Sequence, residues 1–214
     1  MPRLMPELSK RLRSQTDEAL QLAEASERVR IILSAQPKTR NVLSTSQVRL
    51  TYEMAYLRIF ASWEAFLEDS FIRYLCGYSN STGQQSIVSG SYFRSLLDAR
   101  RALLGQQTFV LWHNPKKVAE RGKKFFRQGV HETTLMSSLS RLEWFASVRH
   151  RIAHNHDDAK RHFDSACMAL CGRRFPGGRP GSFLRDTTVL GNARTRWLAI
   201  ISDELCDLAD QIIQ

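Results

Sequence analysis

QVRLTYEMAYLRIFASWEAFLEDSFIRYLCGY, residues 47–78, is the stretch that decides the fold class. Tyr56, Phe60, Trp63, Leu67, Phe71 and Tyr74 recur three or four residues apart, which is the spacing of one helix face. No glycine or proline interrupts the run before Gly77. So wide an aromatic face predicts a long helix packed on several sides. Gly77 and the polar run Ser79-Asn80-Ser81-Thr82-Gly83 predict its end, and Ser44 or Ser46 is placed to cap its start.

Working outward, residues 7–35 read as a first long helix, with Leu8, Leu12, Leu20, Ala23, Val29, Ile32 and Leu33 at helical intervals. Gln36-Pro37 ends it, because proline disfavours helical geometry in the residue before it. Residues 91–104 read as helix, and 108–112 as a short strand or a buried turn. Residues 116–128 carry Lys116, Lys117, Arg121, Lys123, Lys124 and Arg127 interleaved with Phe125 and Phe126. That pattern suits either a basic, aromatic-bearing surface for a phosphate backbone or a solvated helix with one apolar edge. A helix resumes at 132 or 133 and runs to about 154, and another, capped by Asp157 or Asp158, runs to about 171. Residues 172–192, rich in Gly, Arg and Pro, read as a long loop with room for a hairpin near 183–190. A last helix spans about 192–213. The expectation is an all-α, up-and-down bundle with an elaborated middle, formed as one domain over 1–214.

Composition limits the function classes. Hydrophobic residues make up 43%, enough for a sizeable core and against wholesale disorder. Lys and Arg number 31 against 21 Asp and Glu, a net charge of +10 that raises affinity for polyanions. Cys76, Cys167, Cys171 and Cys206 form no C-x-x-C pair, and no secretory signal is read ahead of them. Reduced thiols in a cytoplasmic protein, with no membrane span, are expected.

Two charges fall on faces that should be apolar. On a helical wheel Leu135, Leu139, Leu142, Phe145, Ala146, Ile152 and Ala153 form one stripe with Arg149 near its middle. Glu64 falls among Leu57, Phe60, Leu67 and Phe71. A buried charge is costly unless paired, so Glu64 and Arg149 are expected to approach each other across the bundle. Arginine suits the role because its planar fork can hold a carboxylate on one side and a phosphate on the other. A register-fixing ion pair, or an Arg stem reaching out to solvent, would give the same pattern.

The segment Ser147-Val148-Arg149-His150-Arg151-Ile152-Ala153-His154-Asn155-His156 resembles the signature of the HEPN (higher eukaryotes and prokaryotes nucleotide-binding) family. That signature is an Arg, then a polar residue, then a His a few positions on; here these are Arg149, His150 and His154. "SWEAFLED", residues 62–69, is similar to the aromatic-acidic segment on a long helix in several bacterial members. The resemblance covers about residues 47–170. It implies a HEPN-like helical bundle that dimerises with two motifs facing each other, and a metal-independent endoribonuclease with no cofactor, often a toxin or defence protein. RNA would then be the ligand, and a homodimer, a cognate antitoxin or another regulatory protein would be partners. Arg149 would hold the phosphate oxygens and His154 would transfer protons, with His150 and Glu64 supporting. Arg151, Lys116, Lys117, Lys123, Lys124 and Arg127 would bind the RNA backbone.

Spacing adds a constraint: Arg149 and His154, five apart, are separated by about 140° and about 7.5 Å on a continuous helix. His150 and His154, four apart, share a face. Both favour a composite site at a two-fold interface. Three other readings remain. The basic residues can simply offset the dipole of a helix that stops at Asn155. His154, His156, Asp157, Asp158 and His162 offer metal ligands within nine residues, although they straddle a predicted helix boundary. The same fold can also serve as a catalytically inactive module that binds RNA, a nucleotide or a protein, as an antitoxin or scaffold does.

Overall fold

A computed structural model of the chain describes residues 3–190 and 193–214. Helices dominate it: α1 Leu8–Ser34, α2 Thr45–Leu75, α3 Leu96–Leu104, α4 Pro115–Phe125, α5 Val130–Ser137, α6 Leu139–Ala153, α7 Asp157–Cys171, α8 Pro180–Arg185 and α9 Trp197–Ile213. A 3₁₀ turn, Pro176–Gly178, precedes α8. Strands β1 Thr187–Leu190 and β2 Ala193–Arg196 form a small antiparallel hairpin between α8 and α9.

The ends of α2 show why it forms where it does. The Ser44 hydroxyl accepts from the Gln47 amide at 3.2 Å, and the Gln47 side chain accepts from the Ser44 amide at 2.7 Å. This reciprocal box satisfies two of the helix's orphan donors and settles Ser44 over Ser46 as the cap. At the other end Gly77 takes φ +76°, the Tyr78 amide returns to Arg73 O and the Gly77 amide to Tyr74 O, both at 3.1 Å. Those two bonds make the left-handed stop that the glycine announced.

The chain divides into two compact units. The first takes in the chain up to Leu12, Trp63–Glu143 and Leu205–Gln214. Phe71 is its aromatic centre, with ring centroids of Phe126, Trp112 and His131 at 5.1, 5.7 and 5.0 Å. The Tyr74 hydroxyl donates to Ile212 O at 2.7 Å. The second unit comprises Arg13–Ser62 and Trp144–Glu204. Its aromatic cluster centres on Phe183, with Phe163, Phe175 and Trp197 at 6.1, 5.7 and 5.4 Å. The Glu27 carboxylate accepts from both Nε and NH2 of Arg185, at 3.1 and 2.7 Å, which ties α8 to α1.

Several sequence expectations are corrected. The helix expected from 91 begins at Leu96, because the Ser95 hydroxyl caps it through the Asp98 amide. Residues 108–112 form no strand; they turn through irregular backbone that buries Trp112. The helix expected from 132 to 154 is two helices, broken at Ser138 (φ −117°, ψ 18°). The break falls at paired serines, and the Ser137 hydroxyl bonds back to Thr134 O at 2.8 Å, a local bond that competes with the helical ladder. Residues 172–190 are not a long loop but the 3₁₀ turn, α8 and β1, packed through Phe175 and Phe183; the paired strands lie at 187–190 and 193–196 rather than near 183–190. The final helix was expected from Asn192, which lies outside the described residues; α9 begins at Trp197. The four cysteines carry no disulfide. Among the described residues no helix is long and apolar enough to cross a membrane.

Candidate functional site

The motif residues lie in the second unit, at the corner between α6 and α7. The buried row of α6 is Leu142, Phe145 and Val148. Arg149 falls within the arc of that row, about 20° from Leu142 and about 40° from Phe145. It is nonetheless half-buried at the rim, four residues before α6 ends at Ala153, and not in the middle of the core as the wheel predicted. The wheel gives direction around the axis but not position along it, and Arg149 lies past Val148, the last buried residue of α6. Glu64, on α2 in the first unit, is likewise half-buried rather than in the core. The expected approach of Glu64 to Arg149 would span the two units.

Behind Arg149 is Tyr56, fully buried, whose hydroxyl donates to Phe145 O at 2.7 Å. Burial holds the Tyr56 pKa well above its ordinary value, and the Arg149 charge opposes that shift. A neutral phenol fixes the α6 backbone beneath the arginine.

The last turn of α6 closes with the His154 amide on His150 O at 2.9 Å. His150 and His154 therefore share a face, with ring centroids 4.5 Å apart. The third imidazole was missed as a member of this site. His156, 5.5 Å from the His150 ring and 5.8 Å from the His154 ring, completes a triangle. The signal available in the sequence was the His-Asn-His spacing of 154–156 directly after a helix end.

His156 is held by its capping role. Its Nδ1 accepts from the Ala159 amide at 3.1 Å at the N-terminus of α7. The cap is thus His156, not Asp157 or Asp158; those two carboxylates occupy the first turn, where they oppose the helix dipole. Accepting through Nδ1 leaves the neutral ring its proton on Nε2, directed away from the helix.

Half-buried His150 has its pKa lowered, first by burial and then by the positive charge that His154, His156, His162 and Arg149 place around it. It is neutral at pH 7 and able to accept a proton. Arg151 is spent differently: its Nε donates to Gly178 O at 3.1 Å and its NH1 to His154 O at 3.4 Å. It braces the 3₁₀ turn against the motif. The expected backbone-binding residues Lys116, Lys117, Lys123, Lys124 and Arg127 are exposed on and just after α4 in the first unit. Their neighbour Phe126 belongs to the core against Phe71 and offers no stacking face.

The metal-ligand reading loses its geometry. The Nδ1 of His156 is engaged by the cap, and Nε2 of His162 lies 3.5 Å from Asp158 within α7. Among the described residues no group of three or more His, Cys, Asp or Glu is arranged to hold a metal ion. In comparisons with known proteins, the chain matches no family model, no curated protein and no solved structure.

Proposed function

We propose that this chain is a HEPN-type, metal-independent endoribonuclease that cuts RNA at the α6–α7 corner. The observation that carries the reading is the gathering of His150, His154 and His156 within 5.8 Å of one another, directly after Arg149. RNA cleavage by internal attack needs few groups. A base takes the proton of the 2′-hydroxyl as its oxygen bonds to the adjacent phosphorus. A cation steadies the extra charge on the phosphorane. An acid gives a proton to the departing 5′-oxygen as the P–O bond breaks, leaving a 2′,3′-cyclic phosphate and a 5′-hydroxyl. Neutral His150 suits the base, His154 on the same face suits the acid, and Arg149 suits the phosphorane oxygens.

A homodimer belongs to this reading. Leu22, Val29, Ile32, Leu50 and Met54 of the second unit are exposed and apolar, and they offer a surface for a second copy. The net charge of +10 favours a polyanionic substrate.

The test incubates wild type, Arg149→Ala and His154→Ala with total RNA in excess EDTA. Wild type is expected to give fragments ending in 2′,3′-cyclic phosphate, and each variant to lose at least about a hundredfold in rate. Cleavage that needs a divalent ion, or that survives both substitutions, overturns the reading. RNA binding without cleavage by the wild type would assign the chain to the non-catalytic alternative.

A further inference from the structure

The charge of the chain is concentrated in one segment, 94–127, which lies wholly within the first unit and apart from the motif. It holds nine Lys and Arg against two carboxylates, Asp98 and Glu120, a net +7 where the whole chain carries +10. The same segment leaves large apolar side chains in water, and the two features meet on α3 and α4.

α3 is apolar on two faces. Ala99 and Leu103 are buried and hold it to the core. Leu97 points about 140° away from them and is 56% exposed. Half-buried Leu104 falls about 20° from Leu97 on the helix circumference, and exposed Arg101 and Arg100 flank Leu97 at about 40° and about 60° on either side. Phe109, on the irregular turn after α3, is 66% exposed. It lines one cavity with Arg100 and Leu104, which places its ring beside the outward face of α3. α4 adjoins the same turn of α3, because Lys124 and Arg121 line a second cavity with Leu103 and Leu104. On α4, Val118, Ala119 and Gly122 are buried, and exposed Lys117 and Lys124 fall within about 20° of each other on the opposite face.

Apolar side chains set among cations limit what can cover this face. A second copy of the chain would bring the same cations against one another, and like charges repel. An RNA strand would engage the cations but leave Leu97 in water. The ring that the basic run would have lent to a base, Phe126, is interior. An anionic bilayer uses both features. Its headgroups attract Lys and Arg, its headgroup–acyl boundary buries Leu and Phe, and the long stems of arginines at the edge reach back to the phosphates. Being fluid, it receives side chains from a helix and a turn without a matching groove.

We propose that the outward face of α3 and α4 docks reversibly on an anionic lipid bilayer, with Leu97 and Phe109 entering the headgroup–acyl boundary and Arg101, Lys117 and Lys124 against the headgroups. The face contains none of the histidine cluster, so it stands or falls independently of the cleavage reading.

The experiment is co-sedimentation of the full chain with vesicles of phosphatidylcholine alone, or of phosphatidylcholine and phosphatidylserine in equal parts. The mixed vesicles are expected to bind at least about tenfold more tightly, and added salt to weaken them. Leu97→Ser and Phe109→Ala, changes to exposed side chains, are each expected to weaken that binding about tenfold. Lys117→Gln and Lys124→Gln are each expected to weaken it about fivefold. No binding to the mixed vesicles overturns the proposal. So does binding indifferent to Leu97→Ser and Phe109→Ala in proteins that melt as wild type does, because that is adsorption by charge alone. A short oligoribonucleotide bound through Lys117 and Lys124 without any vesicle binding gives the face to nucleic acid instead. A dimer that Leu97→Ser dissociates in analytical ultracentrifugation gives it to a second copy, which also overturns the proposal.

Discussion

His156 does two jobs with two nitrogens. Its Nδ1 caps α7 through the Ala159 amide, and its ring closes the triangle with His150 and His154. The jobs can be separated. His156→Ala removes both and is expected to destabilise the protein by about 1 kcal/mol, the usual worth of a helix cap. His156→Ser keeps a capping oxygen and should restore most of that stability while still lacking the imidazole. Thermal melting of the three proteins checks the cap, and equal melting temperatures for all three would remove it. Cleavage assays on the same proteins then report the ring alone. Arg149, His150 and His154 were legible in the sequence as candidates because they fall within six residues at one helix end. His156 was not, because its contribution depends on the turn that swings α7 back toward α6.

The elements around the motif are held by close backbone approaches that no pattern of apolar residues reveals. Gly181, in the first turn of α8, donates its amide to Glu53 Oε1 at 2.8 Å. A Cβ added there would meet Arg49 O at 2.4 Å, a distance that forces backbone to move. Gly181→Ala is therefore expected to lift α8 from α2 and to cost about 2 kcal/mol, in the range of other overpacked sites. Amide hydrogen exchange across 176–186 is the local readout, and protection there unchanged by the substitution would contradict it. The long helices were legible from period and caps, as the ends of α2 show. The segment 172–192 was misread for a physical reason: Gly and Pro signal irregular backbone equally well in a loop and at short, tightly packed helix starts. Only the burial of Phe175 and Phe183 tells the two apart.

At the scale of the whole molecule, His131 sets a pH limit on the fold. It is fully buried beside Phe71 and Tyr74. The Ser70 hydroxyl donates to Leu67 O at 3.2 Å, so His131 Nε2–H donates to Ser70 Oγ, at 2.9 Å. Its Nδ1 is buried with no partner, and burial lowers the pKa to about 3. The unfolded chain binds this proton with a pKa of about 6.5, so it takes up a proton that the folded chain refuses. Stability is thus full above pH 6.5 and falls on acidification by up to about 1.4 kcal/mol per pH unit toward pH 3. His131→Phe should flatten that decline; melting temperatures of both proteins between pH 7.5 and 5 check it. An equally steep decline in the variant would place the acid sensitivity elsewhere.

The sequence by itself determined that the chain is mostly helical, that two long helices lie near 7–35 and 47–78, and which short segment carries Arg149, His150 and His154. Those properties follow from local rules: period, capping and the conformational limits of glycine and proline. Only the tertiary structure decided that Arg149 lies at the rim of its core, that His156 joins the cluster, that Phe126 is interior, and that α3 and α4 border two cavities. These depend on which surfaces meet, and meeting surfaces are chosen by packing between residues far apart in the chain, which no window of sequence contains.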